Sequence, residues 1–393
     1  MSKLPLSGIT VVSLEQAVAA PFCSRQLADL GARVIKIERP GVGDFARDYD
    51  QTVKGQSAYF VWLNRSKESL TLDVKHPSAG EILGKLIAGA DVFIQNLAPG
   101  AAKRLGLGAE TLREKHPRLI VCDISGYGDS GPYAKKKAYD LLVQSEAGVL
   151  SLTGTPESPA KVGISITDIG TGLHAYAAIL GALYNRERTG EGTRIDLTMF
   201  ETMAEWMGHP LYYTHFSGKP PQRSGPDHAT IVPYGRFRAS DGDVMFGIQN
   251  EREWANFCDK VLGQPQLAKD PRYDNNTKRT AARAEVVALI EKAFSAWTSA
   301  EVAARLDAAD IANARLNAPD EVWNHPQLVA RKRWREVQSP GGAIPALLPP
   351  ASYTGVEPRM DPIPAVGEHT DRVLTTLGYS ADQIAAFKSA GAV

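Results

Sequence analysis

The chain has 393 residues, with 44 Lys+Arg against 44 Asp+Glu, and it is 43% hydrophobic and 22% charged. At roughly 150 residues per domain this predicts two or three folded domains, and it excludes both a disordered chain and a broadly basic surface for nucleic acid. Three Cys make no disulfide framework, and the eight His form no HExxH or other ligand spacing, so no metal site is expected.

The first residues carry no basic segment followed by an apolar stretch, and no run approaches the roughly 18 apolar residues of a membrane span. A cytoplasmic chain that partners neither membrane nor nucleic acid is expected. Residues 9–14 are short, apolar and β-branched, which predicts a buried strand. Pro21 opens a helix over 22–30, Gly31 stops it, and 34–37 is the next strand. Strands follow at 69–72, 91–94 and 119–124, with helices at 82–88 and 109–115 between them. This alternation predicts a parallel, doubly wound sheet. Its usual cofactor loop is absent, because Glu15-Gln16-Ala17-Val18 stands where GxGxxG would. A buried helix is expected over 171–186 and a strand over 193–197. Prolines at 220, 221 and 226 mark a linker. Beyond it, Asp241-Gly242 turns a hairpin. Val286, Ile290, Phe294 and Trp297 line one helix face, and Thr298 with Glu301 fits a capping box. Proline recurs from 340 to 364, and a helix over 381–387 closes the chain.

Asp168 lies in a glycine-containing stretch ahead of the apolar helix. Two readings stand: a carboxylate that caps the helix N-terminus, or a nucleophile or base held where glycines admit a ligand. Arg39, Arg104 and Lys137 each follow a predicted strand, where open α/β sheets place ligands. Singly each reads as a solvated charge; as a series they point to a phosphate-bearing ligand. Arg47 suits a substrate carboxylate or a pair with Asp44 or Asp48. Tyr139, His209 and His228 carry no distinctive spacing, and His174 reads as a satisfied core histidine.

Taken in order, several stretches resemble the class III CoA-transferase family, which includes formyl-CoA transferase, carnitine CoA-transferase and α-methylacyl-CoA racemase. They are Gln16-Ala17 with Ala20-Pro21, residues 30–41, Asn64-Arg65-Ser66-Lys67, residues 96–100, and residues 125–132. Asp168, Thr189-Gly190-Glu191-Gly192 and Gly367-Glu368-His369-Thr370 complete the set. The resemblance implies an α/β protein with a Rossmann-like large domain built from 1–224 and 331–393, a smaller α+β domain over 225–330, and an interlocked homodimer. It implies that Asp168 is the catalytic nucleophile and that Gln16 lies in the active site. Arg39, Asn96, Arg104 and Lys137 would hold coenzyme A, with Leu72 and Ala98 near its adenine or pantetheine. Coenzyme A and acyl-CoA would be substrates, with no permanently bound cofactor.

The implied reaction moves CoA from an acyl-CoA donor, succinyl-CoA or a related dicarboxylyl-CoA, to a small carboxylic acid. Asp168 would pass through anhydride and aspartyl-CoA thioester intermediates. Backbone N–H groups at the start of the following helix, with Gln16, would stabilise the oxyanions. Arg47, Tyr139, His209, His228 and Arg236 are candidates for the substrate's second carboxylate, in acids such as succinate, itaconate, mesaconate or citramalate. The chain departs from the family twice. The glycine-run loop of formyl-CoA transferase is reduced to one glycine at 247–254, and the racemase histidine is Tyr139. The alternatives are racemisation next to the thioester, CoA transfer within one dicarboxylic acid, and a non-enzymatic CoA-binding role.

Overall fold

Six parallel strands form the central sheet: β1 (Thr10–Leu14), β2 (Arg33–Glu38), β3 (Lys67–Thr71), β4 (Val92–Gln95), β5 (Ile120–Ser125) and β6 (Arg194–Thr198), in the order β3-β2-β1-β4-β5-β6. This computed structural model describes residues 4–393. The chain divides into two compact units. One comprises Met1–Val149, Val162–Gly208 and Leu328–Val393; the other comprises Leu150–Lys161 and His209–Gln327.

In the first unit, the two-residue period of the strands sends alternate side chains into two separate cores. Val12, Ile35, Leu70, Phe93 and Val121 face α2 (Ala79–Ala88), α3 (Ala109–Lys115) and the C-terminal helices Thr370–Thr376 and Ala381–Ser389. Val11, Val34, Val92, Ile94 and Cys122 face the other way, onto Cys23 and Leu27 of α1 (Ala19–Asp29). On that side they also meet Ala175, Ile179 and Leu183 from a long helix, Ile166–Thr189. A further short helix, α4 (Asp140–Glu146), precedes that long helix, which is α5. The helix α6 (Met199–Trp206) follows β6.

The glycines of α5 explain how closely these helices approach. A Cβ at Gly172 would fall 2.5 Å from the Ala19 carbonyl oxygen, and one at Gly170 would fall 2.8 Å from the Trp206 ring. These glycines admit α1 and α6, not a ligand. Trp206 in turn donates its indole N–H to His174 at 3.1 Å, so that histidine is engaged, but it is only half-buried on the helix surface and not in the core as expected. At the end of α1, the buried carboxylate of Asp29 takes a two-pronged contact from Arg65 at 2.8 and 2.6 Å and a third from Arg25 at 3.0 Å.

The free edge of β3 is covered by the C-terminal segment. The Ser69 N–H donates to His369 Nδ1 at 3.2 Å, the His369 N–H donates to the Ser69 carbonyl, and the Thr71 N–H donates to Thr370 Oγ1. The proline-rich return includes an antiparallel pair, Trp334–Val337 with Ile344–Leu347.

The second unit carries the hairpin Tyr234–Arg238 and Asp243–Gly247, extended by Asn313–Arg315 into a three-stranded antiparallel sheet. Phe237, Phe246, Trp254, Phe257 and Phe294 fill its core. The helix Ser299–Ala308 begins at the Thr298–Glu301 capping box, whereas helix Arg283–Phe294 ends before Trp297, which packs on the core from beyond it.

The glycine geometry separates two substitutions in one helix. Gly172→Ala is expected to destabilise the fold by about 2 kcal/mol or more, because the Ala19 backbone blocks the new methyl. Gly181→Ala, with open space around it, is expected to stabilise by about 1 kcal/mol. Denaturant unfolding of the two variants measures both.

Candidate active site

Asp168 is the third residue of α5, and it does not cap its own helix. Asp140, the first residue of α4, does so instead. Its Oδ1 accepts the N–H of Thr167 at 2.8 Å and of Asp168 at 3.2 Å, and its Oδ2 accepts Gln144 Nε2 at 2.6 Å. The N-cap reading of Asp168 is therefore corrected by a carboxylate 28 positions earlier. The next amide, Ile169 N–H, donates to the Ser165 carbonyl. The first amides of α5 are thus already engaged, and they do not form the oxyanion site expected from the sequence.

The Asp168 carboxylate accepts no hydrogen bond among the described residues. It keeps a path to solvent, yet protein surrounds it closely. Burial first, and then the charge of Asp140, push its pKa up to about 7. Tyr49 lies within reach of the same fields: burial, then Asp44, Asp168 and Tyr139, push its phenol up to about 12. Asp168, Tyr139 and Tyr49 therefore share one neighbourhood, and Tyr49 packs edge-on against Tyr59 with ring centroids 5.4 Å apart.

Gln16 follows the carboxyl end of β1, beside the point where the sheet order reverses between β1 and β4. Asn96 grips its backbone from β4's side. Asn96 Oδ1 accepts the Gln16 N–H and Asn96 Nδ2 donates to the Gln16 carbonyl, both at 2.9 Å. The carboxamide assigned to coenzyme A by resemblance is thus engaged with the chain itself.

Behind Gln16 lies a fully buried charge network. Glu15 accepts Lys67 Nζ at 2.7 Å, Ser13 Oγ at 2.7 Å, Ser24 Oγ at 2.5 Å and Lys36 Nζ at 3.4 Å. Lys36 Nζ also donates to Asp44 Oδ2 at 2.8 Å. Burial alone would raise the Glu15 pKa, but Lys67 and Lys36 hold it down at about 2.

The candidate cations stand along the carboxyl edge of the sheet. Arg39 is exposed after β2, with Nε donating to the Gly43 carbonyl at 3.2 Å. Ala98 and Arg104 are exposed after β4, and Lys137 is exposed after β5. Its neighbour Lys136 is the one engaged, with Glu146 at 2.8 Å. A cavity of about 400 Å³ opens at the ends of β2 and β3, lined by Pro40, Gly41, Thr71, Gly367 and Lys388 among others.

Other expected residues stand elsewhere. Leu72 is only 1% exposed and packs in the core under the sheet, with no face for a ligand. Arg47 holds Glu38 at 2.9 and 2.8 Å, donates to the Pro364 carbonyl and lies over the Phe60 ring, so its role is to tie segments together. His209, His228 and Arg236 belong to the second unit. There His228 stacks on Tyr234 and Arg236 meets Asp243 at 3.4 Å.

No three His, Cys, Asp or Glu side chains gather as a metal would require among the described residues, and no described helix is long and apolar enough to cross a membrane.

The raised pKa of Asp168 makes a stability prediction. The folded state holds this proton more tightly than the unfolded chain, so its contribution is complete below about pH 4 and is lost as pH rises through 7. Asp168→Asn should equal the native protein in stability at pH 4. It should exceed it above pH 7 by up to about 4 kcal/mol, by unfolding at a series of pH values.

CoA-transferase family III matches residues 6–370. The human succinyl-CoA:glutarate CoA-transferase is 32% identical over 99% of this chain and 90% of its own length. An acetyl-CoA:oxalate CoA-transferase of Acetobacter aceti is 38% identical over 84% of this chain and 85% of its own. The crystal structure of a CAIB/BAIF family protein from Brucella suis superposes with a TM-score of 0.85 at 34% identity, covering 96% of this chain and all of that one. With the family matched along nearly its whole length, this chain belongs to CoA-transferase family III and is an enzyme of that class.

Proposed function

We propose that the enzyme moves coenzyme A from succinyl-CoA, or a related dicarboxylyl-CoA, to a short dicarboxylic acid, with Asp168 as the nucleophile. The observation that carries this reading is a carboxylate at a helix start that accepts no hydrogen bond among the described residues, because another carboxylate caps the helix. A carboxylate of raised proton affinity is the stronger nucleophile once ionised. The activities of the human and Acetobacter relatives support glutarate and oxalate as the first acceptors to try.

The electrons move in four displacements. An Asp168 oxygen attacks the thioester carbonyl, the C–S bond breaks, and CoA thiolate leaves a mixed anhydride. The thiolate attacks the aspartyl carbonyl, expelling the donor acid as carboxylate and forming an aspartyl-CoA thioester. The acceptor carboxylate attacks that thioester, and the thiolate departs again. Attack of the thiolate on the acceptor's carbonyl yields the new acyl-CoA and restores the Asp168 carboxylate. With the α5 amides engaged, the Gln16 side-chain amide and the Tyr49 phenol, which feels the charge of Asp168, would serve as donors to the developing oxyanions. Arg39, Arg104 and Lys137 would meet the phosphates, and Ala98 would line the path between them.

The same reading takes the enzyme as an interlocked homodimer on a Rossmann-like frame. Large apolar side chains left open support self-association: Tyr184 of α5 is 68% exposed, and Phe216 in the second unit is 80% exposed.

Asp168→Ala is expected to lower transfer at least 1,000-fold while CoA binding and the oligomeric state persist. Because the nucleophile must be ionised, the native rate should climb with pH and level off above about 7. Asp140→Asn keeps an acceptor for the α5 amides but removes the neighbouring charge, so this limb should move to lower pH. An unmoved limb would show that Asp168 ionisation does not govern the rate. Succinyl-CoA should be incubated with glutarate, oxalate, itaconate, mesaconate and citramalate, and the thioesters read by mass. New acyl-CoA species are expected. Solvent deuterium entering the acyl chain without any acceptor would favour racemisation instead.

A further inference from the structure

The geometry points to Asp44 as a positioning residue for the transfer reaction: it holds Ala17 in the left-handed conformation and thereby fixes the backbone from which the Gln16 side chain projects. This inference rests on the reading of Gln16 as an active-site residue.

Ala17 has φ +62°, in the region that glycine occupies freely and alanine enters at a cost. Its N–H donates to Asp44 Oδ1 at 3.2 Å. Asp44 is itself fixed by three further contacts. Oδ2 accepts Lys36 Nζ at 2.8 Å, Oδ1 also accepts the Ala46 N–H at 3.0 Å, and the Asp44 N–H donates to Glu38 Oε1 at 2.9 Å. Lys36 and Asp44 have side chains 0% and 1% exposed. One residue earlier, Asn96 brackets Gln16 through both its N–H and its carbonyl. The backbone at 16 and 17 is thus held from both flanks, at the carboxyl edge of the sheet.

Stability alone does not explain this arrangement. A buried ion pair contributes little net stability compared with apolar side chains of similar volume, and a strained alanine contributes none. A buried carboxylate that compensates a strained residue beside the active-site glutamine is what precise placement of that glutamine requires.

The test separates the charge of Asp44 from its contact with Ala17. The double variants K36M/D44N and K36M/D44L both remove the buried charges at similar volume. Only the asparagine keeps an acceptor for the Ala17 N–H. Transfer from succinyl-CoA to glutarate is expected to show kcat at least tenfold lower in K36M/D44L than in K36M/D44N, with KM values within twofold and both variants folded by circular dichroism. Adding A17G to K36M/D44L should recover at least threefold in kcat, since glycine takes this φ without strain. Equal kcat values in the two folded double variants overturn the role of Asp44.

If K36M/D44L does not fold, Ala17→Val in the native background decides. A β-branched residue cannot hold this φ, so kcat should fall at least tenfold at constant KM, and an unchanged kcat overturns the proposal. Gln16→Ala is measured alongside. Full activity there removes the Gln16 reading, whereas a loss there with no difference between the double variants removes only the role of Asp44.

Discussion

The Asp140 carboxylate accepts the N–H groups of Thr167 and Asp168, so the first turn of α5 is satisfied before Asp168 contributes anything. A helix start ordinarily recruits the nearest carboxylate as its cap. Here that duty falls to a residue from a separate helix, and Asp168 is left with burial, a like charge and, among the described residues, no hydrogen bond to its carboxylate. The proposed nucleophilic role of Asp168 rests on this division of labour. The capping carboxylate orients the helix and raises the proton affinity of its neighbour, and both effects reach the same atom.

The buried acids of this unit show why burial by itself does not mark a reactive group. Glu15 is more deeply enclosed than Asp168, yet two ammonium groups and two hydroxyls hold it ionised. Asp168 is less enclosed, and burial and the Asp140 carboxylate are what shift its pKa. Desolvation acts on both in the same direction, and the neighbours decide the outcome. One carboxylate therefore serves as scaffold and the other is available for chemistry, although the residue types are nearly the same.

The sheet was largely legible in the sequence because fully buried parallel strands are short, continuous apolar runs. The expected strands at 34–37 and 119–124 lie within one or two residues of β2 and β5, and α3 matches the expected helix at 109–115. The α5 helix starts earlier than expected, at Ile166, because its first turn is polar and glycine-bearing and its cap is distant in sequence. That distance also hid Asp140. Its link to Asp168 is purely tertiary, and no local spacing announces it. The glycines at 170 and 172 were visible, but their purpose was not: only the positions of Ala19 and Trp206 show that they admit protein instead of ligand. Arg47 and Leu72 illustrate the same limit. A charge near a strand end and an apolar residue after one look alike whether they face a ligand or the interior.

The covered edge of β3 has a consequence for how this chain is made. The atoms that satisfy Ser69 and Thr71 come from residues 369 and 370, roughly three hundred positions later. During synthesis the first strands therefore emerge and can pair well before their outer rim has its cover. A bare strand rim is a template for joining other chains. The nascent chain must pass through that interval, and a chain broken off before residue 369 would be released as a sheet with one side still adhesive.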